Sequence, residues 1–147
     1  MFAVPENTVA SAATAPTVHP ALIAGEYARH RERWAHLLRY DPDERYTVLV
    51  DRTPGQEVWL MSWLPGQETG RHDHGAANGA FTIVSGELTE HVVHRGRTHV
   101  VGIGQSRVFG PGYVHEVHNA GPDPAISIHV YRAARTMRSY ETLSRVS

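Results

Sequence analysis

The chain has 147 residues, with 14 Lys and Arg against 15 Asp and Glu, and a formal net charge of −1. This length favours one domain around one hydrophobic core. The scattered basic residues and balanced charge exclude a concentrated basic face for nucleic acid or an anionic membrane. No apolar run approaches the roughly 18 residues that a membrane-spanning helix needs. Because a basic segment followed by an apolar core is missing at the N-terminus, we expect a cytoplasmic protein.

Residues 1–20 are rich in Ala, Thr, Val and Pro without a period, which predicts a flexible N-terminal extension. In residues 21–39, apolar side chains such as Trp34 recur at spacings of three and four. That pattern predicts one amphipathic helix packed on a sheet. Asp41 precedes Pro42, and because proline disfavours helical geometry in the residue before it, the helix ends there.

Residues 45–131 consist of short β-branched or aromatic runs separated by turns rich in Gly and Pro. Several runs alternate apolar and polar side chains, which predicts an antiparallel sandwich or barrel. The polar tail, residues 132–147, would close one end, so that residues 21–147 form one domain. The predicted strands are YTVLV, EVWLMSWL, GAFTIVSG, LTEHVVH, RTHVV, SRVFG, YVHEVHN and AISIHVY.

Cysteine is absent, whereas histidine occurs 11 times. The chain therefore has no disulfide, no thiolate ligand and no cysteine nucleophile. Any metal site must be built from histidines and carboxylates.

His72 and His74 are separated by one residue. Residues i and i+2 of a strand project from the same face, so both imidazoles can reach one ion while Asp73 points away. His115, from another strand, would complete a three-nitrogen site with open positions for a substrate and dioxygen. His118 competes for that place, but strand alternation points it to the opposite face. Imidazole suits Fe, Zn, Cu or Ni, so the ligand type alone does not choose the metal.

The flanks of these histidines resemble the two sequence motifs of the cupin superfamily. In the first motif, Gly66 and Gly86 stand at the cupin spacing from the histidine pair, and Gly79 replaces the usual glutamate. In the second, Pro111 and Asn119 flank the third histidine, with one residue fewer between the proline and the histidine. The resemblance implies a mainly β fold, a small cupin (a jelly-roll-like β-barrel) with an N-terminal amphipathic helix.

Within the cupins, the chain resembles the cysteine dioxygenase family of thiol dioxygenases. Trp63 lies upstream of the first motif as in that family. Ser127, His129 and Tyr131 are similar to its Ser-x-His-x-Tyr segment, whose tyrosine lies beside the iron. The resemblance implies Fe(II) held by the three histidines, Tyr131 and His129 as catalytic residues, and Ser127 behind them. It also implies that O2 oxidises the sulfur of a small thiol to a sulfinic acid.

The chain departs from the family pattern on the substrate side. Many members carry, near the position of Gly79, a cysteine that is crosslinked to the tyrosine, so here Tyr131 must act unmodified. The arginine that usually binds the substrate carboxylate has no aligned counterpart, and Arg45 or Arg52 is the candidate replacement. Loss of a bidentate clamp changes the choice of substrate. Mercapto acids, small aminothiols and thiol-imidazoles are therefore all candidates.

Three functional hypotheses follow. The leading one is a thiol dioxygenase that works with a small thiol and O2, as a monomer or small homo-oligomer, without nucleic-acid or membrane partners. The second keeps the three-histidine iron but cleaves a carbon–carbon bond in a diketone or an aromatic compound. The third is a non-catalytic cupin that binds a small molecule and holds zinc or no metal. Gly79 is predicted to leave space near the metal, and the alternative is that it marks a bulge. For Tyr131 and His129, the alternative is that they are core side chains.

Overall fold

The computed structural model describes residues 18–132 and 138–139. Most of the predicted extension, residues 1–20, and most of the predicted tail, residues 132–147, lie outside these residues. Within the described part of the chain, no helix has the length and apolar character needed to cross a membrane.

The N-terminal helix, α1 (Pro20–Arg29), is shorter than the helix predicted over residues 21–39. At its end, His30 Nδ1 donates to the carbonyl oxygen of Glu26 at 2.7 Å. The backbone N–H of His30, which a continuing helix would bond to that same carbonyl, instead bonds to Tyr27. The histidine side chain thus competes with the next helical hydrogen bond and ends the helix.

Two single 3₁₀ turns, Arg31–Arg33 and Ala35–Leu37, follow the helix. They turn the chain so that Trp34 is fully buried and its indole N–H donates to the carbonyl of Tyr27 at 2.8 Å. Burial of this large aromatic side chain, with its polar group satisfied, outweighs the helical pattern of the sequence.

The remaining described residues form two five-stranded sheets, in the orders β1-β2-β9-β4-β7 and β10-β3-β8-β5-β6. The paired strands are antiparallel. All eight strands predicted from the β-branched and aromatic runs are present. The strand expected at His72 and His74 is the short β3, which ends at Asp73, and β10 is additional. The strands are β1 Tyr46–Thr53, β2 Gln56–Trp63, β3 His72–Asp73, β4 Asn78–Ser85, β5 Leu88–Val92, β6 Arg97–Val101, β7 Ser106–Phe109, β8 His115–His118, β9 Ala125–Arg132 and β10 Arg138–Ser139.

Strand β9 shows how the fold positions the interior. Ile128 and Val130 project to one face of the first sheet, where α1 packs on them. Because strand side chains alternate between faces, Ser127, His129 and Tyr131 must project to the other face, into the space between the two sheets. The apolar contact with the helix therefore fixes which face carries the polar residues.

Candidate metal centre

Three buried histidines converge between the two sheets. His72 of β3 and His115 of β8 are directly paired across the strands, and His74 follows the end of β3. The ring centroids lie 4.8 Å apart for His72 and His74, 4.7 Å for His72 and His115, and 5.6 Å for His74 and His115. Their ligating nitrogens all lie within 4.8 Å of one another. The structure thus brings together the three predicted ligands.

Asp73 and His118, which lie near the ligands in the sequence, do not join the histidine cluster. Asp73 is fully buried, and its Oδ1 accepts the N–H of Gly75 at 2.9 Å, which supports the turn after β3. His118 is half-buried and is not among the residues that line the cavity beside His115. It therefore lies away from the cluster, as strand alternation predicts.

Hydrogen bonds determine which nitrogen of two of these histidines can bind a metal. His72 Nδ1 lies 2.9 Å from the carbonyl oxygen of Gly70, which can only accept, so Nδ1 carries the proton. His115 Nδ1 donates to Glu90 Oε2 at 2.6 Å. In both rings the lone pair is therefore on Nε2. His115 Nε2 is buried and has no hydrogen-bond partner among the described residues. Since buried polar atoms are normally satisfied, this nitrogen fits a metal ligand.

His72 is also in the protonation state that binds metals. Burial, followed by the neighbouring His115, lowers the pKa of His72 from 6.5 to about 4. The ring is neutral at pH 7, as a metal ligand must be.

A carboxylate that the sequence analysis did not identify lies behind His115. Glu90 of β5 is fully buried. Its Oε1 accepts from Arg107 Nε at 2.7 Å, and its Oε2 accepts from the Tyr113 hydroxyl at 3.2 Å as well as from His115. Burial alone would raise the pKa of Glu90, but the hydrogen bonds and charges of His115 and Arg107 outweigh it, and the pKa is lowered. Glu90 is therefore ionised.

A sequence pattern could have identified Glu90. In the run LTEHV it alternates with Leu88 and Val92, so it lies on the apolar face of its strand. A charged residue at such a position is almost always paired.

Ser127, His129 and Tyr131 lie in one row on the inner face of β9. The Trp63 indole N–H donates to Ser127 Oγ at 2.9 Å, and Ser127 Oγ lies 2.7 Å from His129 Nε2. The Ser127 hydroxyl therefore links the Trp63 indole to the His129 ring. Burial, and after it the charge of Arg45, holds the pKa of His129 well below its usual value. His129 is therefore neutral.

A cavity of about 240 Å³ adjoins the three histidines. Tyr131 is buried at its wall, with its ring centroid 4.8 Å from that of His74. The residues around the cavity are Arg45, Thr47, Trp59, Met61, Trp63, Thr69, His72, His74, Phe81, Phe109, His115, Val117, His129 and Tyr131.

The two candidate arginines have different locations. Arg45, just before β1, lines the cavity, and its guanidinium carbon lies 5.5 Å from the centroid of the Trp63 ring. Arg52 lies outside the cavity: its side chain is 60% exposed and forms an ion pair with Glu57 at 2.8 Å. The prediction of Arg52 as a pocket residue is therefore wrong. Arg52 lies near the far end of β1, and Glu57 is its cross-strand partner.

Gly79 lies in β4, directly opposite Tyr131 of β9 and Phe109 of β7. A Cβ at this position would be 1.9 Å from the carbonyl oxygen of Val130 and 2.9 Å from Phe109 Cζ. The Phe109 ring packs close by, 4.7 Å from that of His74. The Val130 backbone and the Phe109 ring fill the place of a Gly79 side chain, so this glycine leaves no open space beside the metal site. It does not mark a bulge either, because the register shift of β4 lies between residues 83 and 85.

The fold and the histidine cluster define the class of protein: a cupin, or double-stranded β-helix, with a candidate metal site between its sheets. A similar solved structure is a conserved protein with a double-stranded β-helix domain from Klebsiella pneumoniae, with 27% identity, a TM-score of 0.67, and coverage of 73% of this chain and 88% of that one. The TT1209 protein of Thermus thermophilus has 23% identity and a TM-score of 0.62, over 67% of this chain and 92% of that one. Recombinant oxalate oxidase, at 18% identity and a TM-score of 0.59, shares the fold over 67% of this chain and 56% of that one.

Residues 9–142 match the family model for cysteine dioxygenase type I. The chain belongs to this family. The resemblance to it in the sequence analysis is confirmed, as is the cupin-like, mainly β fold.

Proposed function

We propose that this protein is an iron(II)-dependent dioxygenase that adds both atoms of O2 to the sulfur of a small thiol, giving a sulfinic acid. The observation that carries this proposal is that His129 and Tyr131 of the β9 row line the cavity that the three histidines border, with Ser127 hydrogen-bonded to His129. A three-nitrogen centre alone would suit several metals and reactions. The row and the family membership together favour thiol oxidation.

His72, His74 and His115 would hold the metal, and they supply nitrogen donors without a carboxylate ligand. Ferrous iron bound there would stabilise the substrate sulfur as a thiolate and offer O2 an adjacent position. The histidines fit this role because they are buried, and because the Nδ1 protons of His72 and His115 are fixed by acceptors on the protein.

The cavity limits the substrate to a small molecule. Its volume of about 240 Å³ is below the range of roughly 300–1,000 Å³ that is usual for drug-sized ligands. Aromatic rings of Trp63, Phe81 and Phe109 form much of its wall, so a bound substrate displaces water from the reacting centre.

Arg45 gives the cavity a positive charge. Its guanidinium is always protonated and prefers a planar anion such as a carboxylate. A thiol that bears a carboxylate therefore fits better than an aminothiol whose only charge is an ammonium group, which Arg45 would repel. Mercapto acids and amino acids with a thiol are the substrate class that we propose.

Tyr131, together with His129 and Ser127, controls hydrogen bonding next to the substrate. We assign to the Tyr131 hydroxyl a hydrogen bond to the substrate or to reacting oxygen. Hydrogen bonds from Trp63 to Ser127 and between Ser127 and His129 hold the His129 ring in place, so the polar wall is set before the substrate arrives. No covalent modification of Tyr131 is needed.

Oxygen-electrode screening of the Fe(II)-loaded protein tests the proposal. We expect O2 uptake with mercapto acids, stoichiometric sulfinate in the product, and less uptake with the corresponding aminothiols. Uptake with a diketone but with no thiol would overturn the proposal in favour of carbon–carbon cleavage. Purification with zinc, together with no uptake after iron loading, would favour a non-catalytic binding protein.

A further inference from the structure

Glu90 forms a charged contact that is buried between the strands. It has no exposed surface, and its hydrogen bond to His115 Nδ1, at 2.6 Å, joins two side chains that are both buried. Arg107 donates to Oε1 at 2.7 Å, and Tyr113 donates to Oε2 at 3.2 Å. A buried carboxylate with three donors is fixed in place, because each departure would leave a charged oxygen unsatisfied.

The candidate ligands differ in what lies behind them. His72 Nδ1 donates to a neutral acceptor, the carbonyl of Gly70. His115 Nδ1 donates to an ionised carboxylate, and hydrogen bonds to a charged acceptor are roughly twice as strong as neutral ones. A carboxylate in that place fixes the ring orientation and makes the other ring nitrogen a stronger donor to a metal.

We infer that Glu90 is a positioning residue of the metal centre: through His115 it orients and polarises one ligand, and Arg107 and Tyr113 hold Glu90 in place. This inference rests on the three-histidine site of the proposed function but not on thiol oxidation. Metal affinity is therefore the quantity to measure, because it can be determined whether or not any thiol is oxidised.

A merely structural role is the competing explanation. In that case Glu90 serves only as the buried partner of Arg107, and its replacement changes stability without changing how the metal is held. The two explanations separate in a variant that keeps the fold and a hydrogen-bond acceptor for His115 but loses the negative charge.

Glu90→Gln is that variant, and Glu116→Gln is its matched control. Glu116 is the chain neighbour of His115, but it lies on the opposite face of β8 and pairs with Arg71 at 3.5 Å. Both substitutions remove one negative charge near the site. The double variant Glu90→Gln/Arg107→Gln removes both members of the ion pair and keeps a neutral hydrogen-bonding pair, in case the single variant does not fold.

Cobalt(II) is the probe, because, unlike ferrous iron, it can be titrated in air without being oxidised. Its dissociation constant is measured by competition with a chelator, and the paramagnetically shifted histidine N–H resonances are recorded by NMR. Circular dichroism establishes that each variant is folded.

For Glu90→Gln, or for the double variant, we expect cobalt affinity to fall by about tenfold or more and one shifted N–H resonance to move or broaden. Glu116→Gln should leave both readouts unchanged. The inference is overturned if the folded Glu90 variants bind cobalt as tightly as the wild type, or if Glu116→Gln weakens binding equally. If cobalt affinity depends on Glu90 but the iron-loaded protein oxidises no thiol, this inference stands and the proposed function is refuted.

Discussion

His72 and His115 are paired residues of adjacent antiparallel strands, with ring centroids 4.7 Å apart. The backbone ladder, rather than a flexible loop, thus sets the separation of two of the three candidate ligands. Sites built on strands are more precise than sites built on loops, because the strand hydrogen bonds fix the Cα positions. These two ligands are therefore held in position by the sheet itself.

The His115→Ala variant should lose stoichiometric metal binding, because the remaining pair leaves the ion with two protein nitrogens. His118→Ala is the control on the same strand, and it should keep the wild-type metal content. Elemental analysis of protein loaded with Fe(II) under anaerobic conditions measures both. Equal loss of metal in the two variants would contradict this ligand assignment.

The Arg45→Gln variant should lower kcat/KM for a mercapto acid by about 10- to 100-fold, as expected for loss of a charge-assisted hydrogen bond worth about 1.5–3 kcal/mol. The effect should fall mainly on KM, because Arg45 is assigned to substrate binding. Arg52→Gln removes an exposed arginine that pairs with Glu57, and it should change neither constant. A preference for carboxylate substrates that survives in Arg45→Gln would place the clamp elsewhere.

The Gly79→Cys variant should be destabilised and should not form a crosslink to Tyr131. The new Cβ would lie 1.9 Å from the Val130 carbonyl oxygen, so strand β9 must shift. Such overpacking costs about 1–3 kcal/mol or more. Gly110→Ala is the control, since a Cβ there meets no atom within 4 Å.

Thermal unfolding of both glycine variants, and the intact mass of Gly79→Cys after aerobic incubation with iron, test this prediction. An unfolding temperature equal to that of the wild type would show that β4 has room for a side chain. A mass lower by two hydrogens would reveal a thioether.

The metal-free protein should lose stability as the pH falls below about 6.5. The pKa of His72, about 4, and that of His129 are both below the usual value of 6.5 in the folded state. The unfolded chain therefore binds more protons in this range, so acid favours unfolding. For His72 the effect amounts to about 3 kcal/mol between pH 6.5 and 4.

Urea denaturation of the apoprotein at several pH values measures this dependence. The lowered pKa of Glu90 acts in the same direction, but only below its ordinary value of 4.5. Between pH 4.5 and 6.5 the histidines should therefore dominate, and His129→Gln should flatten the curve. An apoprotein equally stable at pH 7 and pH 5 would refute this account.

Local patterns predict the strands and two of the ligands well. Alternation and turn residues are properties of short segments, so runs such as AISIHVY already determine which side chains share a face. The same rule predicts that His72 and His74 approach one point, and they do so although β3 itself ends at Asp73. The prediction of His115 as a ligand needed the second motif as well, because the contact between β3 and β8 joins segments that are distant in the sequence.

The features that the sequence did not predict correctly, or did not predict at all, depend on contacts between distant residues. The helix ends at Arg29 because His30 takes the carbonyl of Glu26 and Trp34 turns back into the core. Arg45 and Arg52 look equivalent in the sequence, and only the position of the cavity separates them. Glu90 acquires its meaning from Arg107 and His115, which lie 17 and 25 residues further along the chain.

The most direct test of thiol dioxygenation is the mass of the product formed from a mercapto acid by the Fe(II)-loaded protein under oxygen-18 gas. The proposal predicts a sulfinic acid in which both new oxygen atoms are oxygen-18, and no such product from the metal-free protein. A disulfide, or a product whose oxygen comes from water, would contradict it.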